Sequence, residues 1–253
     1  MTADASTIRF ERTGKRIRIQ LGGELVADTT HALLVWEVPY YPAYYIPAAD
    51  VRAELIPAAA ATADGKRVAA LGDPELLTVK VTSATAEGGA RCYPDAAVAE
   101  LRDYLRFEWD AMSEWLEEDE PVYVHPRNPY SRVDILASSR HVRIEIDGVT
   151  VADSASPRIL FETGLPPRYY LPLTDIRMDL LRPSDTHTSC PYKGTAAYWS
   201  VQTPTRTHKD VVWIYRTPLP ESQKIAGLAC FYNERVDVYI DGEHQDRPRT
   251  PFS

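Results

Sequence analysis

The stretch Ser189-Cys190-Pro191-Tyr192-Lys193-Gly194 sets a thiol three residues ahead of an amine, with a proline between them. Proline at the second position of a four-residue turn is preorganised for type I or II, and such a turn brings its first and fourth Cα atoms within roughly 7 Å. In that geometry the Lys193 ammonium lies beside the Cys190 thiol. A neighbouring cation lowers a thiol pKa from about 8.5 and favours the nucleophilic thiolate. His187, three residues upstream of Cys190, is a second candidate base. On the residues alone, Cys190 reads as a nucleophile, a group lining a ligand site, or a buried structural thiol. Lys193 reads as an acid/base or imine-forming amine, or as a plain ion-pair partner for Glu162.

Aromatic side chains gather around this motif: Tyr169, Tyr170, Tyr192, Tyr198, Trp199, Trp213 and Tyr215. Adjacent strand residues point to opposite faces, so one of Tyr169 and Tyr170, and one of Tyr198 and Trp199, should face inward. Aromatics with a few fixed polar groups line small-molecule pockets, and they also build cores. Glu162 ends an apolar run and Arg168 follows Pro166-Pro167. A buried Glu162 needs a cation, and Arg168 or Lys193 would supply it. The candidate site therefore comprises Cys190 and Lys193 as its reactive groups, with Glu162, Arg168, Tyr169, Tyr192, Tyr198 and Trp199 as its wall. Arg168 and Lys193 would orient a ligand, Glu162 would fix them, and the rings would stack. A second group, His125, Arg127, Arg132 and Arg140, runs through and beyond HPRNPYSRVDIL. It would either hold an anion between guanidiniums or fasten a joint by pairing with the acids at Glu117 to Glu120.

These residues sit on a duplicated scaffold. Residues 16–55 and 141–180 align without a gap, with identities that include Arg18/Arg143, Gly23/Gly148, Asp28/Asp153, Glu37/Glu162, Tyr45/Tyr170, Pro47/Pro172, Asp50/Asp175 and Arg52/Arg177. The chain is a tandem of two related domains, 1–137 and 138–253. Each copy opens on a hairpin: Val142, Ile144 and Ile146 alternate with polar residues, and Asp147-Gly148 supplies the turn, as Gly22-Gly23 does in the first copy. Later strands are predicted at Leu76–Thr82, Tyr198–Gln202, Val211–Tyr215, Leu228–Tyr232 and Val236–Ile240. Asp95 to Glu120 departs from this pattern. Leu101, Tyr104, Leu105, Trp109, Met112 and Trp115 recur every three to four residues, which predicts an amphipathic helical insertion confined to the first copy. The framework Tyr-Tyr-x-Pro followed by Asp-(Val/Ile)-Arg is common to both copies and reads as structural, whereas CPYKG and Arg168 (Ala43 in the first copy) belong to the second. The first copy reads as a degenerate partner or as half of a shared cleft.

The composition narrows the function classes. With 28 basic and 36 acidic side chains, a net charge of −8 argues against general nucleic-acid or anionic-membrane binding. No apolar run approaches the roughly 18 residues of a membrane span. MTADASTIRFERTGKR lacks the apolar core of a secretory signal, which makes a cytoplasmic location the expectation. Three widely spaced cysteines provide neither a disulfide framework nor CxxC metal pairs. There is no phosphate loop, GxSxG elbow or HExxH helix, and no ligand-spaced cluster for a metal, so no cofactor is expected.

FETGLPPRYYLP, SCPYKGTAAYW and FYNERVDVYIDGE resemble the bacterial domain of unknown function 427 family, and EEDEPVYVHPRNPYSRVDIL resembles the junction of its two-domain members. The resemblance covers nearly all of the second copy and, more weakly, the first. It implies a small, mainly antiparallel β-tent in each copy, similar to methionine-R-sulfoxide reductases and the thalidomide-binding domain of cereblon. Those relatives commonly hold zinc between CxxC pairs, which this chain lacks. The family carries a nucleotidyltransferase-like label. Such transfer relies on paired carboxylates holding Mg²⁺ beside a Gly-Ser turn, and the sequence contains no such arrangement. The leading expectation is a small-molecule-binding protein with its pocket in the second domain and a polar or anionic ligand. The alternatives are a cofactor-independent enzyme using Cys190 and Lys193 at the same site, and a protein-interaction scaffold. The oligomeric state is left open.

Overall fold

The structure, a computed structural model, describes residues 8–58 and 71–250. The first seven residues of the N-terminal stretch considered above lie outside them. The chain divides into two compact units, Met1–Asn128 and Pro129–Ser253. This division falls upstream of the expected boundary at 137/138, because Val133–Ala137 pairs with a strand of the second unit.

The first unit contains β1 (Arg9–Arg12), β2 (Ile17–Leu21), β3 (Glu24–Thr29), β4 (Leu33–Trp36), β5 (Ala43–Pro47), β6 (Glu54–Pro57), β7 (Glu75–Lys80), β8 (Thr85–Cys92), β9 (Tyr104–Phe107), β10 (Glu114–Glu117) and β11 (Glu120–Pro121). The second contains β12 (Val133–Ala137), β13 (Val142–Ile146), β14 (Val149–Ser154), β15 (Arg158–Glu162), β16 (Arg168–Leu171), β17 (Leu181–Cys190), β18 (Gly194–Gln202), β19 (Thr207–Ile214), β20 (Ala229–Phe231), β21 (Asp237–Ile240) and β22 (Glu243–Gln245). Each unit builds a seven-stranded and a four-stranded antiparallel sheet, in orders β1-β4-β5-β9-β8-β7-β6 and β11-β10-β2-β3, then β12-β15-β16-β20-β19-β18-β17 and β14-β13-β21-β22. The two topologies correspond strand for strand, as the internal repeat requires. The chain is mainly β, with the predicted strands in place.

Period-two alternation decides what each face carries. In the second unit Val142, Ile144 and Ile146 of β13 pack with Trp199 and Val201 of β18 and Val212 and Ile214 of β19, forming the core between the sheets. The intervening residues Tyr198 and Trp213 turn to the opposite, outer face of the seven-stranded sheet, with Leu160, Tyr170 and Cys230. The Asp-x-Arg framework joins the sheets. Asp50 accepts from the Thr29 hydroxyl at 2.5 Å and Asp175 from Ser154 at 2.6 Å, while Val51 and Ile176 bridge to Ala27 and Ala152. The arginines pair outward, Arg52 with Asp28 and Arg177 with Asp179.

The amphipathic helix expected over Asp95 to Glu120 does not form. Short 3-10 turns at Ala99–Leu101 and Trp109–Ala111 flank β9, and β10 follows. The three-to-four spacing arises from alternating strand residues separated by turns: Leu105, Phe107, Met112 and Trp115 enter the core between the sheets, and Leu101 the opposite face. Pairing of β9 between β5 and β8 outweighs local helical preference. Nor is this segment unique to the first copy: the turns at Pro220–Ile225, then β20 and β21, are its counterpart.

The tips of two hairpins are clasped differently in the two units. In the second, Asp147 at the β13–β14 turn accepts from Thr205 at 2.9 Å, Arg206 at 3.0 Å and His208 at 2.8 Å, all at the β18–β19 connection. Hydrogen bonds from Arg206, then His208 and Thr205, hold the Asp147 carboxyl well below the usual carboxylate range. In the first, the equivalent residue is Gly22, where a Cβ would meet Ser83 Oγ at 2.7 Å and Ala84 Cβ at 2.8 Å. Glu24 secures that contact instead, accepting from the Ser83 backbone N–H at 2.6 Å. A depressed carboxylate stabilises the fold above its unfolded pKa of about 3.9, and the effect fades as pH falls through the folded value. Asp147→Asn, which tolerates the same backbone conformation, should lower Tm at pH 7. Its deficit relative to wild type should shrink in melts run below about pH 4.

Candidate functional site

The outer face of the second unit's seven-stranded sheet carries the CPYKG motif. Cys190 ends β17 and pairs with Gly194, so Pro191 to Lys193 form a three-residue hairpin connection. Gly194 has φ +94°, and a Cβ there would lie 3.5 Å from the Leu219 backbone nitrogen. Glycine therefore lets the chain reverse tightly enough to carry Lys193 back over the sheet. The Leu219 N–H donates to the Lys193 carbonyl at 3.1 Å, and Ser222 Oγ donates to the Tyr192 carbonyl at 2.9 Å, which fixes the loop against the Pro220–Ile225 turns.

Lys193 is 9% exposed and its ammonium pairs with Glu162 at 2.5 Å. Burial opposes its charge, but the adjacent Cys190 and Glu162 more than offset that, and its pKa lies above the ordinary lysine value. Lys193 is thus a fixed cation at neutral pH, which favours an electrostatic role over imine formation. Glu162 takes Lys193 as its partner, and Arg168 finds another. Arg168 makes a bidentate pair with Glu234 at 2.7 and 2.6 Å, and Thr250 donates to Glu234 at 2.6 Å. The guanidinium lies 5.6 Å from the Trp213 ring centre and 5.9 Å from that of Tyr232. Burial disfavours the Arg168 charge and Glu234 restores it, while the same pair holds the Glu234 carboxyl low against its own burial.

Between these ion pairs lies an aromatic and hydroxyl floor. Tyr198 Oη is 2.8 Å from Thr188 Oγ1 and 3.3 Å from Tyr232 Oη, and Trp213 Nε1 donates to Tyr170 Oη at 3.1 Å. Trp213 and Tyr232 stack at 4.6 Å. Burial pushes the hydroxyls of Tyr170, Tyr215 and Tyr232 up, so they stay protonated donors.

The structure thus brings Cys190, Lys193, Glu162, Tyr198 and Arg168 onto one face, with Tyr192 in the connecting loop. Tyr169 and Trp199 lie on the opposite face, in the core between the sheets. Arg168 is 6% exposed and fully engaged, so it supports the floor and does not reach for a ligand. The sequence reading missed Tyr232 and Glu234. Burial of Arg168 demands a carboxylate, but no spacing in a chain with 36 acids singles out Glu234. Among the joint residues, Arg132 pairs with Asp134 and Arg140 with Asp241, both within the second unit. His125 stacks on Tyr41 at 4.3 Å. Arg127 does lie with Glu117 to Glu120, around a cleft of about 410 Å³ in the first unit.

The same face of the first unit is polar in another way. The register places Arg106 where Cys230 stands and Arg91 where Trp213 stands. The same count back from the matched residues Leu76 and Tyr198 reaches Leu71 and Lys193. Leu71 is 1% exposed. Glu37, the equivalent of Glu162, therefore takes its cation from the sheet: Arg106 pairs with it at 2.9 Å and with Glu108 at 2.6 Å, and Glu108 also pairs with Arg91.

Removing one partner of a buried ion pair strands the other charge, at a cost of about 3–5 kcal/mol. Glu234→Gln should lower the denaturant midpoint accordingly, with an unchanged m-value. Arg168→Met combined with Glu234→Gln should recover part of the loss.

Among the described residues no helix is long and apolar enough to cross a membrane, and no three His, Cys, Asp or Glu side chains group to hold a metal ion. No curated protein matches the chain. Residues 9–118 and 134–242 each match the domain of unknown function DUF427, one match in each unit and together most of the sequence. The chain accordingly belongs to the DUF427 family, as a member that carries the domain twice.

Proposed function

We propose that the second unit binds a small polar organic molecule on the outer face of its seven-stranded sheet, between the Cys190–Lys193 loop and Tyr232. One observation carries this reading. A buried lysine is held beside a half-buried thiol and a carboxylate, at the edge of an aromatic floor whose hydroxyls point the same way. The first unit meets the same structural demand without such a group, with a leucine in the place of Lys193 and the Arg106 guanidinium beside Glu37. Both cations of the site already have carboxylate partners. The ligand class this favours is neutral, with a flat ring to stack and hydroxyl or carbonyl groups to hydrogen-bond, in preference to a multiply charged anion. Cys190, Tyr198, Tyr232 and Thr188 are the groups that would touch it, and Lys193 would polarise an oxygen placed beside it. Covalent chemistry at Cys190 is the enzyme form of the same site. The scaffold reading loses the amphipathic helix on which it drew.

A thermal-shift screen of uncharged and charged metabolites against the full chain tests the proposal. The expected result is stabilisation by ring-bearing neutral compounds, lost in Tyr198→Phe and Cys190→Ser and retained in Glu37→Gln. Stabilisation that survives both second-unit substitutions, or hits confined to polyanions, would sink it.

A further inference from the structure

The outer face of the first unit's seven-stranded sheet carries more hydrogen-bond donors than its own acceptors engage. Arg91 of β8 and Arg106 of β9 are a direct cross-strand pair, and Tyr45 of β5 stands opposite Arg106 on the other side. Tyr93, two residues beyond Arg91, returns to the same face and stacks its ring on that of Tyr45 at 6.5 Å. Two carboxylates serve this group. Glu37 accepts from the Tyr45 hydroxyl at 2.8 Å, and Glu108 accepts from Arg91 Nε at 2.8 Å. Arg106 Nε and Nη1 lie at ion-pair distance from Glu37 and Glu108, yet neither nitrogen is aligned for a hydrogen bond. Tyr93 is 1% exposed, and its hydroxyl has no hydrogen-bond partner among the described residues. That hydroxyl feels the charges of Arg91, Glu37 and Arg106, and burial keeps it protonated, as a donor.

Among the described residues five buried side-chain atoms lack a hydrogen-bond partner, and three of them are Tyr93 Oη, Arg106 Nε and Arg106 Nη1. Buried polar atoms are nearly always satisfied, so this concentration marks a place built to receive acceptors. The fold does not require the two cations, since the second unit has Trp213 and Cys230 at the matching positions. From this geometry we propose that the face binds a small monocarboxylate between the Tyr93 hydroxyl and the Arg106 guanidinium. A carboxylate is acceptor-only and planar, and its two oxygens match a guanidinium edge. Two guanidiniums balanced by Glu37 and Glu108 leave no excess charge for a polyanion. The side chains of Arg106 and Glu108 are 18% and 34% exposed, so solvent reaches the group on that side. The site lies in the other unit from the one proposed above and stands independently of it.

Melting of the full chain in sodium acetate, nitrate and chloride at matched ionic strength provides the test. The expected result is a saturable rise in Tm in acetate alone, on the order of 3 °C. Tyr93→Phe deletes only the hydroxyl. In chloride it should melt at or above the wild-type temperature, because the buried group it removes has no partner, and acetate should no longer raise its Tm. Tyr45→Phe is the contrast: its hydroxyl is bonded to Glu37, so the variant should melt lower in chloride. Arg106→Lys, which keeps the charge and loses the fork, should weaken acetate binding about tenfold. A Tyr93→Phe chain that melts below wild type in chloride, or does not fold, would overturn the proposal, because the hydroxyl would then serve the fold. So would an equal effect of the three salts, or an acetate shift that persists in Tyr93→Phe.

Discussion

A strand can send only alternate residues to one side, and the seven-stranded sheets of this protein use both sides. One side must be apolar because it closes on the four-stranded sheet. The other is released from that demand and collects the charged and hydroxylated groups. Tyr198 and Trp199, neighbours in β18, end up in different environments for this reason, as do Tyr169 and Tyr170 in β16. Everything proposed for the second unit follows from this partition. The core between the sheets supplies rigidity, and the outer face supplies chemistry without weakening that core.

The outer face also shows how buried charge is managed. Neither buried cation of the site is left to find water: Lys193 and Arg168 each have a dedicated carboxylate, and both pairs come from strands or loops distant in sequence. Buried pairs of this kind contribute little net stability compared with apolar replacements, so their presence argues for specificity of arrangement. In the first unit the corresponding charges form a ladder through Glu37, Arg106, Glu108 and Arg91. The two copies thus satisfy the same acidic position in two ways, and only one of them places a thiol beside the cation.

How much of this the sequence discloses depends on whether the signal is local. The repeat, the hairpins and the alternating strands are legible because their periodicity lies within short windows, and Asp147-Gly148 announces its turn directly. The Cys190–Lys193 proximity is legible because a short loop enforces it. Asp95 to Glu120 misleads because two short strands and their turns can mimic a helical period, and only the need to fill the sheet between β5 and β8 decides the matter. The Arg168–Glu234 pair spans dozens of residues and has no local mark at all. Choosing which of Tyr169 and Tyr170 faces the site likewise requires knowing which side the second sheet covers.

The exchange of Lys193 for Leu71, alongside Cys230 for Arg106, couples two positions that lie apart in sequence. Removing either cation without the other in place leaves a carboxylate on the outer face without a partner, at a cost comparable to the whole stability margin of a small domain. Having both at once places two cations around one half-buried carboxylate, a milder fault that solvent and neighbouring acids can screen. Conversion of either arrangement into the other is therefore least costly through a doubly cationic form, in whichever direction it runs. The thiol at Cys230 occupies a position that needs no charge, because the loop supplies the cation that Arg106 supplies in the first unit.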